Sequence, residues 1–268
     1  MRLAFLCLLM ILPLRLASAS TGAVDTITLH GVQPGERLVV HIQQPPGRPV
    51  GRPARELWLL DGDTSLTVAT EAVRLVALEC DAEPPVIITV GDGHAIGTPG
   101  NQRHRDYTPV PSAQPWAQGG GGAAAWLEAL QSRVLPTVQA RLGPARERTL
   151  YGHSYGGLAV AFAWWHAPAL FDRWVLASPA LYYGDDWALR LVEGAPTTER
   201  AVGGRQLLLA GSEEGWAVEG NARWRDALAA WPASTRPAVE SLTLAGFGHL
   251  TGSPVSVMRA VRWAYCPP

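Results

Sequence analysis

Leu150-Tyr151-Gly152-His153-Ser154-Tyr155-Gly156-Gly157 is the stretch on which the fold turns. Arg148 to Tyr151 reads as a strand and Leu158 to His166 as a buried apolar helix, so the glycines separate one from the other. A Gly-x-Ser-x-Gly run is a weak pattern by itself. Between a strand and a helix it predicts a sharp reversal that lifts the serine hydroxyl clear of the backbone. Ser154 must then adopt a strained conformation, and side chains at Gly152 and Gly156 would collide with neighbouring backbone. The helix that starts there aims its free N–H groups and positive end at the hydroxyl.

Outward from this bend, short apolar strands alternate with helices. Thr26 to Gln44 reads as a strand pair split by Pro34-Gly35, and the proline-rich residues 45 to 53 as a loop. Strands are expected at Glu56–Leu60, Pro85–Val90, Trp174–Ala177, Gln206–Ala210 and Leu242–Ala245. Helices are expected at Leu66–Leu78, Ala123–Leu142, Ala222–Trp231 and Pro254–Tyr265. Gly119 to Gly122 reads as a flexible joint, and the segment between Ser178 and Arg205 as a lid with no pattern that sets its shape. This alternation predicts an α/β fold with a mostly parallel central sheet and helices on both faces. Reactive groups are expected where the strands end, at the C-terminal edge.

The N-terminus MRLAFLCLLMILPLRLASAS reads as a secretory signal peptide over residues 1–19: Arg2, an apolar run from Leu3 to Leu14, then Ala17-Ser18-Ala19. Cleavage is expected after Ala19, with Ala23 as the other site and a retained anchor as the other reading. Residues 20–268 suit one catalytic domain, with no other stretch long enough to span a membrane. Export leaves Cys80 and Cys266, which follow the first and last helices of the fold, and predicts a disulfide between them, with two unpaired buried thiols as the other reading. So long a loop would contribute about 4–5 kcal/mol in the chain-entropy model.

Composition excludes several chemistries. All 22 basic residues are Arg, so Schiff-base, Ser–Lys and P-loop lysines are ruled out. A net charge of −1 gives no footprint for nucleic acid. No His/Cys/carboxylate spacing resembles a zinc site, and no cofactor is implied.

A serine hydroxyl needs a base to attack a carbonyl. Among seven histidines, His249 follows the last strand in Gly246-Phe247-Gly248-His249, which is where the chain order serine, acid, histidine puts it. His30, His41, His104 and His166 read as structural or surface residues, His153 as packed beneath the site, and His94 as a pocket-lining candidate. The acid is expected in Gly211-Ser212-Glu213-Glu214-Gly215: Glu214, with Glu213 as the alternative and Asp226 as the fallback on a helix. The oxyanion donors are expected to be the N–H of Tyr155 and that of Asp63 or Gly62, in the turn after Leu60.

These motifs resemble the putative-esterase branch of the α/β-hydrolases, and within it the periplasmic siderophore (enterobactin and salmochelin) esterases. The similar stretches are the elbow Gly152 to Gly157, Arg103-His104-Arg105-Asp106-Tyr107-Thr108-Pro109, the Gly211-Ser212-Glu213-Glu214 turn and the His249 loop. The resemblance spans Leu57 to Tyr265. It implies the α/β-hydrolase fold, a periplasmic location and hydrolysis of a catecholate siderophore's ester backbone to release iron; short acyl esters are the alternative substrates. On that reading Arg103 and Arg105 meet an anionic ferric catecholate, and Trp187, Trp216 or Trp116 stack on its rings. The arginines bracing their own loop against Asp106 is the competing reading.

Overall fold

The hairpin expected around Pro34-Gly35 forms the first edge of the sheet: β1 (Val24–His30) pairs antiparallel with β2 (Arg37–Gln43). The structure is a computed structural model describing residues 22–49, 51–114, 118–194 and 203–267. The expected signal peptide and Trp116 lie outside the described residues. After the hairpin come β3 (Ala54–Leu60), α1 (Gly62–Cys80), β4 (Val86–Gly91) and the short helix α2 (Arg103–Asp106). Next are β5 (Pro111–Ser112), β6 (Gly119–Gly120), α3 (Ala123–Ala129), a π-helical turn (Leu130–Val134) and α4 (Leu135–Leu142). The second half runs β7 (Ala145–His153), α5 (Tyr155–His166), β8 (Arg173–Ala177), α6 (Tyr183–Gly194), β9 (Arg205–Gly211), α7 (Gly215–Ala229), β10 (Ala238–Leu244) and α8 (Gly252–Tyr265).

The main sheet has the order β1-β2-β4-β3-β7-β8-β9-β10. From β4 to β10 every pairing is parallel, so β3, β4, β7, β8, β9 and β10 all end at one edge. This is the α/β-hydrolase fold. Strand alternation divides the core in two. On β3, Trp58 and Leu60 face a cluster that includes Trp126, Trp164 and Trp224, while Leu57 and Leu59 face Ala69, Val73, Val257 and Val261 of α1 and α8. Helix α5 is buried from Gly156 through Trp164, which is why its sequence shows no polar face. Cys80 and Cys266 are disulfide-bonded with Cα atoms 5.6 Å apart, joining the ends of α1 and α8.

Three local readings differ from the sequence expectation. The helix over residues 123–142 is interrupted by the π turn, just before Pro136, whose missing N–H removes the bond to the Ser132 carbonyl. Gly119 and Gly120 are not a free joint but pair with Ser112 and Pro111. The segment expected as a lid of unset shape holds helix α6, and Gly184, Asp185 and Asp186 take left-handed conformations at its start. Among the described residues no helix is long and apolar enough to cross a membrane.

Candidate active site

Close packing explains the glycines of the bend. A Cβ on Gly152 would lie 2.2 Å from the Gly156 carbonyl oxygen, and one on Gly157 2.9 Å from Pro179 Cα. Gly156 is less tightly held than expected: its Cβ would meet a side-chain oxygen of Asp61 at 3.3 Å rather than backbone. Between them Ser154 has φ 61° and ψ −118°, a strained conformation for a residue with a side chain. The surroundings hold it there. Its N–H donates to the Ala177 carbonyl at 2.9 Å, and its own carbonyl accepts from Leu158 and Ala180, each at 3.1 Å.

The structure brings Ser154, His249 and Glu214 together. Ser154 Oγ lies 3.0 Å from His249 Nε2, and His249 Nδ1 lies 2.6 Å from Glu214 Oε2. A carboxylate only accepts, so Nδ1 carries the proton and Nε2 offers its lone pair to the serine hydroxyl. Glu214 is 2% exposed, and its other oxygen accepts from Ser178 Oγ and from the Gly211 N–H, each at 2.8 Å. Glu213 is exposed, and its backbone N–H donates to the Phe247 carbonyl at 3.1 Å. Asp226 is an exposed residue of α7 bonded to Arg225. Of the three candidate acids, only Glu214 reaches the imidazole.

His153 lies beneath the site as expected, its ring 4.6 Å from that of His249. Burial pushes its imidazole down to about 4, and the neighbouring His249 adds to the effect. His94 lies apart from the serine, lining a cavity of about 10 Å³ with Asp61, Asp92 and Arg103, room for about one water.

Tyr155 opens α5, and Gly62 and Asp63 open α1, so their N–H groups lack acceptors within their own helices. Both helix starts stand at the same sheet edge, after the adjacent strands β7 and β3. The Asp63 side chain turns toward β4, accepting from the Gly93 N–H at 3.0 Å.

Both arginines are engaged by carboxylates of the fold. Arg103 donates to both Asp61 oxygens at 2.7 and 3.1 Å and to the His153 carbonyl at 3.1 Å. It therefore clamps the bend after β3 to the bend after β7. Arg105 forms a fork with Glu36 at 2.6 and 2.8 Å and bonds Asp106 at 2.7 Å. Both guanidinium groups are committed to carboxylates, which is the bracing alternative. Trp187 packs against α5. It stacks on Phe162 and His166 with centroids 5.7 and 6.4 Å away, toward the far end of α5 from Ser154. Trp216 is at the site: it is 39% exposed, and its ring lies 5.3 Å from His249 and 5.1 Å from Tyr182.

Residues 32–238 match the model of the family described as "Putative esterase". The chain belongs to that family. The matched range holds Ser154, Glu214 and the Arg103 clamp, whereas His249 lies beyond it. The chain is 32% identical over 160 residues to siderophore triacetylfusarinine C esterase of Aspergillus fumigatus, covering 56% of this chain and 53% of that one. It is 28% identical over 241 residues to ferri-bacillibactin esterase BesA of Bacillus subtilis, covering 83% and 82%. The chain thus spans about half the length of the fungal relative and most of the bacterial one. Its fold superposes on siderophore hydrolase EstA from Aspergillus nidulans with TM-score 0.75 and 21% identity, covering 91% of this chain and 94% of that one.

Within this family fold, sequence reasoning missed Ser178 and Tyr182. Ser178 could have been found by asking which polar residue ends each strand, since it directly follows β8. Tyr182 carried no signal: its place opposite Trp216 depends on the turn before α6.

Proposed function

We propose that the protein is a serine esterase that hydrolyses the ester backbone of a catecholate, enterobactin-like siderophore through an acyl-enzyme, releasing iron. The observation that carries this reading is the continuous contact from Ser154 Oγ through both nitrogens of His249 to buried Glu214. His249 Nε2 takes the hydroxyl proton as Ser154 Oγ bonds to the ester carbonyl carbon. The carbonyl electrons move onto oxygen, where the N–H groups of Tyr155 and of Asp63 or Gly62 receive the charge. Collapse breaks the bond to the ester oxygen, which leaves as an alcohol with the proton from His249. Water then repeats the sequence on the acyl-enzyme, again with His249 as base. Glu214 holds the imidazole in the useful tautomer and offsets its charge when protonated. Trp216, half exposed against His249, supplies an aromatic wall for a flat acyl group. The relatives that act on siderophores support the substrate class. The apolar leader over residues 1–19 supports export, with residues 20–268 as one catalytic domain working in the periplasm.

One observation favours a second reading, a carboxylesterase acting on short uncharged acyl esters. Arg103 and Arg105, the cations expected to meet a ferric catecholate, are both consumed by carboxylates. Incubation with ferric and iron-free enterobactin and with p-nitrophenyl esters decides between them. The siderophore reading expects linear fragments of at least one enterobactin form, absent with Ser154→Ala. Cleavage of the p-nitrophenyl ester alone would establish the second reading instead.

A further inference from the structure

We propose that Ser178 is a positioning residue of the proposed relay, holding Glu214 through its hydroxyl so that the carboxylate keeps His249 aimed at Ser154. The inference rests on the esterase reading and extends it to a residue with no contact to substrate.

Three strand ends meet here. Strand β7 delivers Ser154, β8 delivers Ser178 and β9 leads to Glu214. Ser178 is 4% exposed and has φ 40°, in the left-handed region that an L-residue enters at a cost. A glycine would take that conformation without strain, so the side chain points to a use. Its Oγ donates to Glu214 Oε1 at 2.8 Å. The Ser178 backbone is itself held, with its N–H donating to the Leu209 carbonyl at 2.7 Å. The same Glu214 oxygen accepts the Gly211 N–H at 2.8 Å, and the other oxygen faces His249 Nδ1 at 2.6 Å. The carboxylate is therefore fixed from the side opposite the imidazole by one backbone and one side-chain donor. Only the side-chain donor can be removed by substitution. Without it, Glu214 keeps a single anchor on that oxygen, can rotate about its terminal torsion, and presents a less neutralised charge to His249.

The test uses Ser178→Gly and Ser178→Ala beside wild type and Ser154→Ala. Ser178→Gly removes the hydroxyl while relieving the backbone, so a role confined to packing predicts unchanged activity whatever the Tm. The positioning role predicts that kcat on a p-nitrophenyl ester falls about tenfold while KM stays within about twofold. It also predicts that the acid limb of the kcat/KM profile moves to higher pH as the less neutralised carboxylate holds the His249 proton more tightly. A readout independent of turnover is the low-field proton resonance of His249 Nδ1–H, which should shift or broaden in Ser178→Gly. Turnover within twofold of wild type, with an unmoved acid limb and resonance, would overturn the inference. Wild type with no turnover beyond Ser154→Ala would overturn the esterase reading instead, leaving the resonance to judge Ser178.

Discussion

At the C-terminal edge of the sheet, Asp61 and Glu214 each hold a nitrogenous partner at short range, Arg103 at 2.7 Å and His249 at 2.6 Å. Both carboxylates are buried, and both partners connect back to the bend around Ser154. The clamp uses a guanidinium that stays charged, with donors to Asp61 and to the His153 carbonyl. The relay uses an imidazole, which satisfies Glu214 through one nitrogen and keeps a lone pair on the other for Ser154. Two carboxylate contacts of similar length thus do different work: one fixes backbone, and the other leaves a base available.

The largest expected effect separates them through activity. Glu214→Gln should keep the fold but favour the wrong imidazole tautomer, lowering kcat by about 10³–10⁴-fold. Steady-state kinetics with a chromogenic ester checks this, and an effect below tenfold would mean that Glu214 is not the orienting acid. On the clamp side the expected loss is in stability. Arg103→Ala leaves Asp61 buried and unpaired, which should cost about 3–5 kcal/mol and lower Tm by about 10 °C. Thermal unfolding by circular dichroism measures it, and an unchanged Tm would remove the clamp from the account.

A smaller effect lies at His153, which belongs to both regions: its carbonyl accepts from Arg103 and its ring lies against His249. Its imidazole is held down at about 4 in the fold against 6.5 as the ordinary value. Between those values the unfolded chain binds a proton that the folded protein does not. The contribution of His153 is thus fully present above 6.5 and is lost as pH falls toward 4. From pH 7 to 5 wild type should lose about 2 kcal/mol more than His153→Asn. Denaturant titrations at the two pH values test this, and parallel losses would contradict it.

The contrast between the two regions also marks what could be read from the chain. The bend around Ser154 was legible because close backbone approach demands glycine locally, as Gly152 shows. His249 was legible because strand order puts the base after the last strand. The preference for Glu214 over Glu213 came from the likeness of the Gly211-Ser212-Glu213-Glu214 turn to the family's acid turn, since adjacent residues share composition and position. Burial against Ser178 and Gly211 singles out Glu214. The bracing of the arginines was only partly legible because two of their partners are remote: Asp61 lies 42 residues from Arg103, and Glu36 lies 69 from Arg105. The ring neighbours of Trp187 were hidden for a related reason. The left-handed turn at Gly184, Asp185 and Asp186 sets the course of α6, and nothing in local periodicity announces it.

The central claim is that Ser154 is a nucleophile activated by His249, and fluorophosphonate labelling followed by peptide mass spectrometry tests it most directly. The account predicts one adduct on the peptide carrying Ser154 in wild type, none in Ser154→Ala, and labelling slowed by orders of magnitude in His249→Ala. An unlabelled wild-type protein, or an adduct that persists in Ser154→Ala, would contradict it.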